Sequence, residues 1–226
     1  MTNEEMLSHV DHTQLKAFAT WEDIVKLCDE AVKYNCASVC IPPCYIARVH
    51  AAYPLLNICT VVGFPLGYAV TEAKVAETER ALADGCNEID MVVNISDVKN
   101  GDYLIVEEEI RTLKAACKGH ILKVIIETCY LTEDEKIAMC RAVTNAGADF
   151  IKTSTGFGTG GATVADIELF KKYIGPDVKI KAAGGVSTLE DLETFLEMGC
   201  ERVGTSRAVG LVAGKDNLGN SANNSY

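Results

Sequence analysis

The chain has 226 residues, 48% of them hydrophobic, with 21 basic side chains against 32 acidic ones and a formal charge of -11. That is enough apolar material for the core of one domain, so overall disorder is excluded. The acidic balance, with a pI of about 4.8, argues against a general nucleic-acid binder or a polybasic membrane-surface protein, but not against a small phosphorylated substrate held by local donors.

From the N-terminus, Met1 to Val10 is polar and mixed, without the basic and apolar regions of a secretory signal, and no apolar run approaches a membrane span. Ten cysteines without a signal point to free thiols in a reducing compartment, hence the cytoplasm. The densest group, Cys36, Cys40 and Cys44, lacks the four well-placed ligands of a zinc site and reads as small buried hydrophobes. No metal site is expected.

Strand-like runs follow at Ser8–Asp11, Ala37–Ile41, Ile58–Val62, Glu88–Val93, Ile121–Glu127, Asp149–Thr153, Val178–Ala182 and Arg202–Gly204. Amphipathic stretches lie between them. Thr20, Thr71, Thr132, Thr163 and Ser187 or Thr188 stand at N-cap positions, and Thr132 with Glu135 fits a capping box. Gly85, Gly147 and Gly199 close helices just before the next strand. Eight such units predict an α/β fold, a single-domain (β/α)8 TIM barrel over residues 1–213, with a polar tail over 214–226. A doubly wound open sheet is the alternative.

Side-chain parity makes the barrel interior unusual. Alternate residues of a strand face opposite sides. Ile89, Met91 and Val93 suit the helices, which turns Glu88 and Asp90 inward. By the same rule Lys123, Ile125 and Glu127 face in, as do Phe150 with Lys152 and Lys179 with Lys181. Three acids and four lysines thus stand where a structural barrel would stack Val, Ile and Leu. Such groups are costly to bury unless paired. A salt-bridged structural network is the competing reading, and Lys123 and Lys179 suit it near the middle or bottom of the barrel. A catalytic cluster is favoured.

Lys152 and Lys181 end adjacent strands, where like charges disfavour double protonation and favour one free amine. A free amine attacks a carbonyl to form a Schiff base. Asp90, two strands from Lys152, is placed to relay protons as the carbinolamine forms and collapses. This is class I aldol chemistry.

Three glycine-rich turns follow the last three strands: Gly156-Phe157-Gly158-Thr159-Gly160-Gly161, Gly184-Gly185 and Gly204-Thr205-Ser206. Turns at that end of a barrel cradle phosphate through backbone N–H groups. The first also matches G-x-G-x-x-G, with Asp177 about 20 residues on. It falls in the sixth unit and Asp177 starts a strand, so a dinucleotide site is disfavoured.

These residues, with Val10-Asp11-His12-Thr13-Gln14-Leu15, Ser38-Val39-Cys40-Ile41-Pro42 and Val62-Gly63-Phe64-Pro65-Leu66-Gly67, resemble the deoxyribose-phosphate aldolases over essentially the whole chain. The resemblance also rests on Glu88-Ile89-Asp90-Met91-Val92, Lys123 to Thr128, Phe150 to Gly156 and Lys179 to Val186. It implies a cofactor-free class I aldolase that reversibly cleaves 2-deoxy-D-ribose 5-phosphate to D-glyceraldehyde 3-phosphate and acetaldehyde. Lys152 matches the family's Schiff-base lysine, Lys181 the lysine that tunes it, and Asp90 the proton relay. Asp11 and Cys40 match positions lining the site, Cys40 as a pocket residue rather than a nucleophile, and Thr153 is placed with the substrate contacts. The phosphate contacts match Gly156, Gly184, Gly185, Gly204 and Ser206.

Phe157 and Ser187 stand where some relatives carry a basic residue, and Arg207 is expected to supply that charge. Tyr226 matches a C-terminal tyrosine linked to proton transfer at the acetaldehyde carbon. His12 is expected to hydrogen-bond structurally, and His9 and His50 read as ordinary. The implied partner is a sugar phosphate, with no nucleic acid or membrane, and a homodimer is the family-level expectation. Another phosphate-binding barrel enzyme and a non-enzymatic sugar-phosphate binder are the competing readings.

Overall fold

Eight short parallel strands pair in sequence order and close on themselves: β1 (Val10–Thr13), β2 (Ser38–Ile41), β3 (Ile58–Val62), β4 (Glu88–Val92), β5 (Ile121–Ile125), β6 (Phe150–Lys152), β7 (Lys179–Ala183) and β8 (Arg202–Thr205). The architecture is the expected (β/α)8 barrel, not an open sheet. This computed structural model describes residues 1–214. Around the barrel run α1 (Asn3–Leu7), α2 (Trp21–Lys33), α3 (Ile46–Ala52), α4 (Thr71–Ala83), α5 (Ile95–Asn100), α6 (Tyr103–Ala116), α7 (Glu133–Asn145), α8 (Val164–Tyr173), α9 (Leu189–Glu197) and α10 (Ala208–Val212). None of these is long and apolar enough to cross a membrane.

Local chemistry sets most helix starts. Thr20, Thr132 and Thr188 each accept from the backbone N–H three residues on, and the acidic residue there reaches back to the cap, closing a capping box. Thr163 caps α8 through Asp166. Thr71 differs from expectation: it is the first helical residue of α4, and Val70 ahead of it takes the cap position without a side-chain bond. Gly85, Gly147 and Gly199 all have positive φ, the left-handed conformation that ends a helix at little cost in glycine.

Strand parity then separates two environments. The outward side chains Ile89, Met91, Val124, Ile126, Ile151 and Val203 are fully buried against the helices in one continuous core. Their removal from water supplies the main cohesion, about 1.5–3 kcal/mol for each such side chain. One buried ion pair joins this layer. Lys74 on α4 donates to Glu109 on α6 at 2.8 Å and to the carbonyl of Val92 at 2.9 Å, which ties both helices to the end of β4. The inward side chains are the charged ones.

Candidate active site

Register brings the charges together. Asp90 on β4 is the partner of Lys123 on β5, and Lys152 on β6 is the partner of Lys181 on β7. Asp11 on β1 stands beside Gly204 of β8, and Lys181 beside Arg202. Inward parity therefore concentrates these groups on the barrel axis.

Asp90, fully buried, is the hub. Its Oδ2 accepts from Lys152 Nζ and Lys181 Nζ, both at 2.7 Å, and its Oδ1 from Lys123 Nζ at 3.0 Å and the Cys59 thiol at 3.1 Å. Asp11 is a second hub. Its Oδ1 accepts from Ser38 at 2.8 Å and Arg202 at 2.7 Å, and its Oδ2 lies 2.5 Å from Lys181 Nζ. Glu88 takes Lys123 at 2.5 Å and both terminal nitrogens of Arg202 at 3.1 Å. Three carboxylates and four cations thus form one buried network.

Their protonation follows from this packing. Burial alone would raise the carboxyl of Asp90, but the ammonium groups of Lys123, Lys152 and Lys181 overcome it and hold Asp90 well below the usual carboxylate range. Asp11 is depressed in the same way, against burial, by Lys123, Lys181 and Arg202. Burial would lower Lys181, yet Asp11 and Asp90 raise it, so its ammonium persists. Lys152 touches a single carboxylate, whereas Lys181 touches two and Lys123 three.

The membership of the cluster differs from the parity reading at two positions. Lys179 shares the inward parity of Lys181 but sits at the bottom rim, its side chain 56% exposed and 3.6 Å from Glu201. Glu127 lies beyond the end of β5 and bonds Thr155 instead of a lysine. Asp11 and Arg202 take their places. Arg202 and Cys59 are neighbours of the cluster that composition did not mark. Each shares inward parity with a residue already named, Arg202 with Gly204 and Cys59 with its register partner Cys40.

Cys40 is fully buried and packs with Leu15, Cys59, Val61 and Phe64 in a small apolar cluster inside the barrel. A hydrogen bond with Cys59 lowers the Cys40 thiol, aided by Lys181 and Lys152 against burial. Cys36 is half-buried and Cys44 exposed, so the i, i+4 trio makes no joint site. Cys40, Cys59 and Asp90 do come within 4.8 Å of one another, as do Asp11, Cys59 and Glu88. The lysine ammoniums already on those carboxylates make either set a poor cation site.

The glycine turns meet at the C-terminal end of the same strands. Ala162 N–H donates to the carbonyls of Ala183 and Gly184, both at 3.1 Å, and Thr205 Oγ1 donates to the carbonyl of Val186 at 3.0 Å. The turns after β6, β7 and β8 are thereby joined. Gly156, Gly184 and Gly185 have φ of +87°, +77° and +75°. Ser206 and Arg207 are exposed at the same end. Gly204 lies within β8, where a Cβ would stand 3.1 Å from Lys181 Cε; its small size makes room for that lysine. Thr153 is engaged elsewhere: its hydroxyl donates to the carbonyl of Ala183 at 3.0 Å and accepts from the N–H of the same residue at 3.1 Å. His12 faces the helices and pairs with Glu30 on α2 at 2.9 Å. Tyr226 lies outside the described residues.

Comparison with known proteins agrees with this geometry. The family model described as DeoC/LacD family aldolase matches residues 6–219. The deoxyribose-phosphate aldolase of Clostridium botulinum (strain Eklund 17B / Type B) is 70% identical over 220 residues, covering 97% of this chain and 100% of that one. That of Streptococcus pyogenes serotype M4 (strain MGAS10750) is 56% identical over 214 residues, covering 94% and 96%. Among solved structures, the tetrameric deoxyribose phosphate aldolase from Aeropyrum pernix superposes with a TM-score of 0.88 at 29% identity, covering 96% of this chain and 94% of that one. Sequence along nearly the whole length and the barrel both agree, and the chain belongs to the DeoC/LacD family of aldolases.

Proposed function

We propose that this chain is a class I aldolase that reversibly cleaves 2-deoxy-D-ribose 5-phosphate to D-glyceraldehyde 3-phosphate and acetaldehyde, with Lys152 as the Schiff-base residue. The observation that carries the reading is the pairing of Lys152 and Lys181 on one oxygen of Asp90 inside the barrel. With every group charged the network has one positive charge in excess, so release of one proton balances it. The cation with the fewest carboxylate contacts is Lys152.

The neutral amine of Lys152 adds to the C1 carbonyl of the open-chain sugar, giving a carbinolamine. Asp90, between the two lysines, passes protons as water leaves and the iminium forms. Loss of the C3 hydroxyl proton breaks the C2–C3 bond. The electron pair goes into the enamine, and glyceraldehyde 3-phosphate departs. Protonation at C2 and hydrolysis release acetaldehyde and restore the amine. Lys181, held charged by Asp11 and Asp90, stands beside Lys152 on the same Asp90 oxygen as a proton donor to the developing intermediates. The apolar wall of Cys40, Val61 and Phe64 suits the two-carbon fragment, and Gly156, Gly184, Gly185, Ser206 and Arg207 suit the phosphate. Tyr226 is assigned proton transfer at C2 on the resemblance alone. The same resemblance, with ten free thiols, supports a cytoplasmic enzyme, an association of two copies, and a catalytic unit of residues 1–213 followed by a polar tail.

The test is borohydride reduction in the presence of acetaldehyde, followed by peptide mass spectrometry. A two-carbon adduct on Lys152, absent from Lys152→Ala, is expected. An adduct confined to another lysine, or none anywhere, rejects the assignment.

A further inference from the structure

One buried acid has no part in the mechanism above. Glu127 follows β5 at the mouth of the barrel and is 2% exposed. Its backbone has φ +53° and ψ +67°, the left-handed region that disfavours a residue with a long side chain. Two other non-glycine residues among those described share this conformation, Asn35 and Lys118, and both are exposed beside helix ends. Glu127 alone is held there inside the protein. A strained, buried, ionisable residue next to the Schiff-base strand needs a physical reason.

Its contacts supply one. Oε1 accepts the backbone N–H of Thr155 at 3.1 Å, and Oε2 accepts the Thr155 hydroxyl in a short bond. The same hydroxyl oxygen accepts the N–H of Phe157 at 3.0 Å. These three bonds enclose Gly156, which sits between the two anchored residues at φ +87°. Further along, Gly158 passes so close that a Cβ there would lie 3.1 Å from Glu127 Cδ, and Gly161 packs on the carbonyl of Gly184. The backbone of the Glu127 segment is itself fixed to the lysine strand: Ile126 N–H donates to the carbonyl of Lys152 at 3.1 Å and Thr128 N–H to that of Thr153 at 2.9 Å.

We infer that Glu127 is a positioning residue for phosphate recognition, setting the shape of the Gly156–Gly161 turn through Thr155, while the Lys152 ammonium is held by Asp90. This rests on the proposed reaction and deepens it: the grip determines how strongly the enzyme prefers the phosphorylated sugar over the unphosphorylated one. A carboxylate is needed because both of its oxygens accept. A glutamine offers one acceptor and would face the Thr155 hydroxyl with an N–H group. Burial holds the Glu127 carboxyl above its ordinary value, against the two bonds from Thr155, the charge of Lys152 and the Cys129 thiol, which lower it. The turn therefore supplies the donors that favour its charged form.

The experiment compares wild type with Glu127→Gln in three assays: cleavage of deoxyribose 5-phosphate, cleavage of unphosphorylated deoxyribose, and borohydride trapping of acetaldehyde on Lys152. Expected for the variant is a rise of about tenfold in KM for the phosphorylated sugar, the order of one charge-assisted hydrogen bond. Activity on deoxyribose and the trapping rate stay within about twofold. Thr155→Val removes the hydroxyl side of the same bond, leaving the backbone N–H of residue 155 on Oε1, and gives a similar rise that the double variant does not add to. An unchanged preference for phosphate overturns the inference, and so does a parallel fall in all three assays, which is what a merely structural residue gives. A wild type that traps no acetaldehyde overturns the reaction assignment itself, and the inference with it.

Discussion

Asp90→Asn separates the electrostatics of the cluster from its chemistry. The carboxylate accepts from three ammonium groups and a thiol inside the barrel with no exposure to water. Asparagine keeps the shape but leaves the network with two positive charges in excess instead of one. Breaking a buried ion pair from one side costs about 3–5 kcal/mol. At this chain length that is a fall in Tm of roughly 10 °C, limited by whichever lysine releases a proton to relieve the excess. Loss of the proton relay lowers kcat by about 10²–10⁴-fold. Adding Lys123→Met restores the charge balance of the wild type, because Glu88 keeps Arg202 as its partner. The double variant should regain much of the lost Tm and none of the activity. Thermal unfolding gives the first quantity and coupled detection of glyceraldehyde 3-phosphate the second. An Asp90→Asn protein within 2 °C, a threshold well inside the roughly 10 °C expected, or a double variant that recovers both properties together, would refute the reasoning.

Arg207→Ala should reduce the preference for phosphorylated over unphosphorylated deoxyribose by about tenfold, the order of one charge-assisted contact; an unchanged ratio of kcat/KM values for the two sugars shows that Arg207 does not meet the phosphate. For pH, the depressed carboxyls of Asp11, Asp90 and Glu88 give stability that is fully present above the unfolded carboxyl range, about pH 4, and is lost as pH falls further toward their folded values. Calorimetry should therefore show these groups adding no loss of Tm between pH 7 and 5 and a steep fall below about pH 4, and Glu88→Gln should make that fall shallower.

Parity identified Glu88, Asp90, Lys123, Lys152 and Lys181 because their strands alternate cleanly, with Ile or Val on the other face. It failed at Lys179 because parity gives the face and not the depth: a residue at the entry of a strand opens to solvent at the rim. It failed at Glu127 because the backbone leaves the strand after Ile125 and turns left-handed. Arg202 leads a four-residue strand, too short for alternation to distinguish an inward cation from a solvated one. Cys59 looks like any apolar strand residue, and its role is set by a register that only the closed barrel fixes. Thr71 lost its cap because the preceding Val70 adopts the extended geometry in its place.

The charge of the whole molecule also bears on how the site works. The chain carries -11 overall, while the interior network alone is positive or neutral, so the acidity lies on the outside. An anionic sugar phosphate gains no long-range attraction from such an exterior, and fields fade over about 8 Å at physiological ionic strength. Recognition of the phosphate must then act at contact, through backbone donors and local charge at the barrel mouth. On the proposed reading, the shape of the Gly156–Gly161 turn then carries more of that recognition than the sum of charges, and a buried acid that shapes the turn serves an anion it never touches.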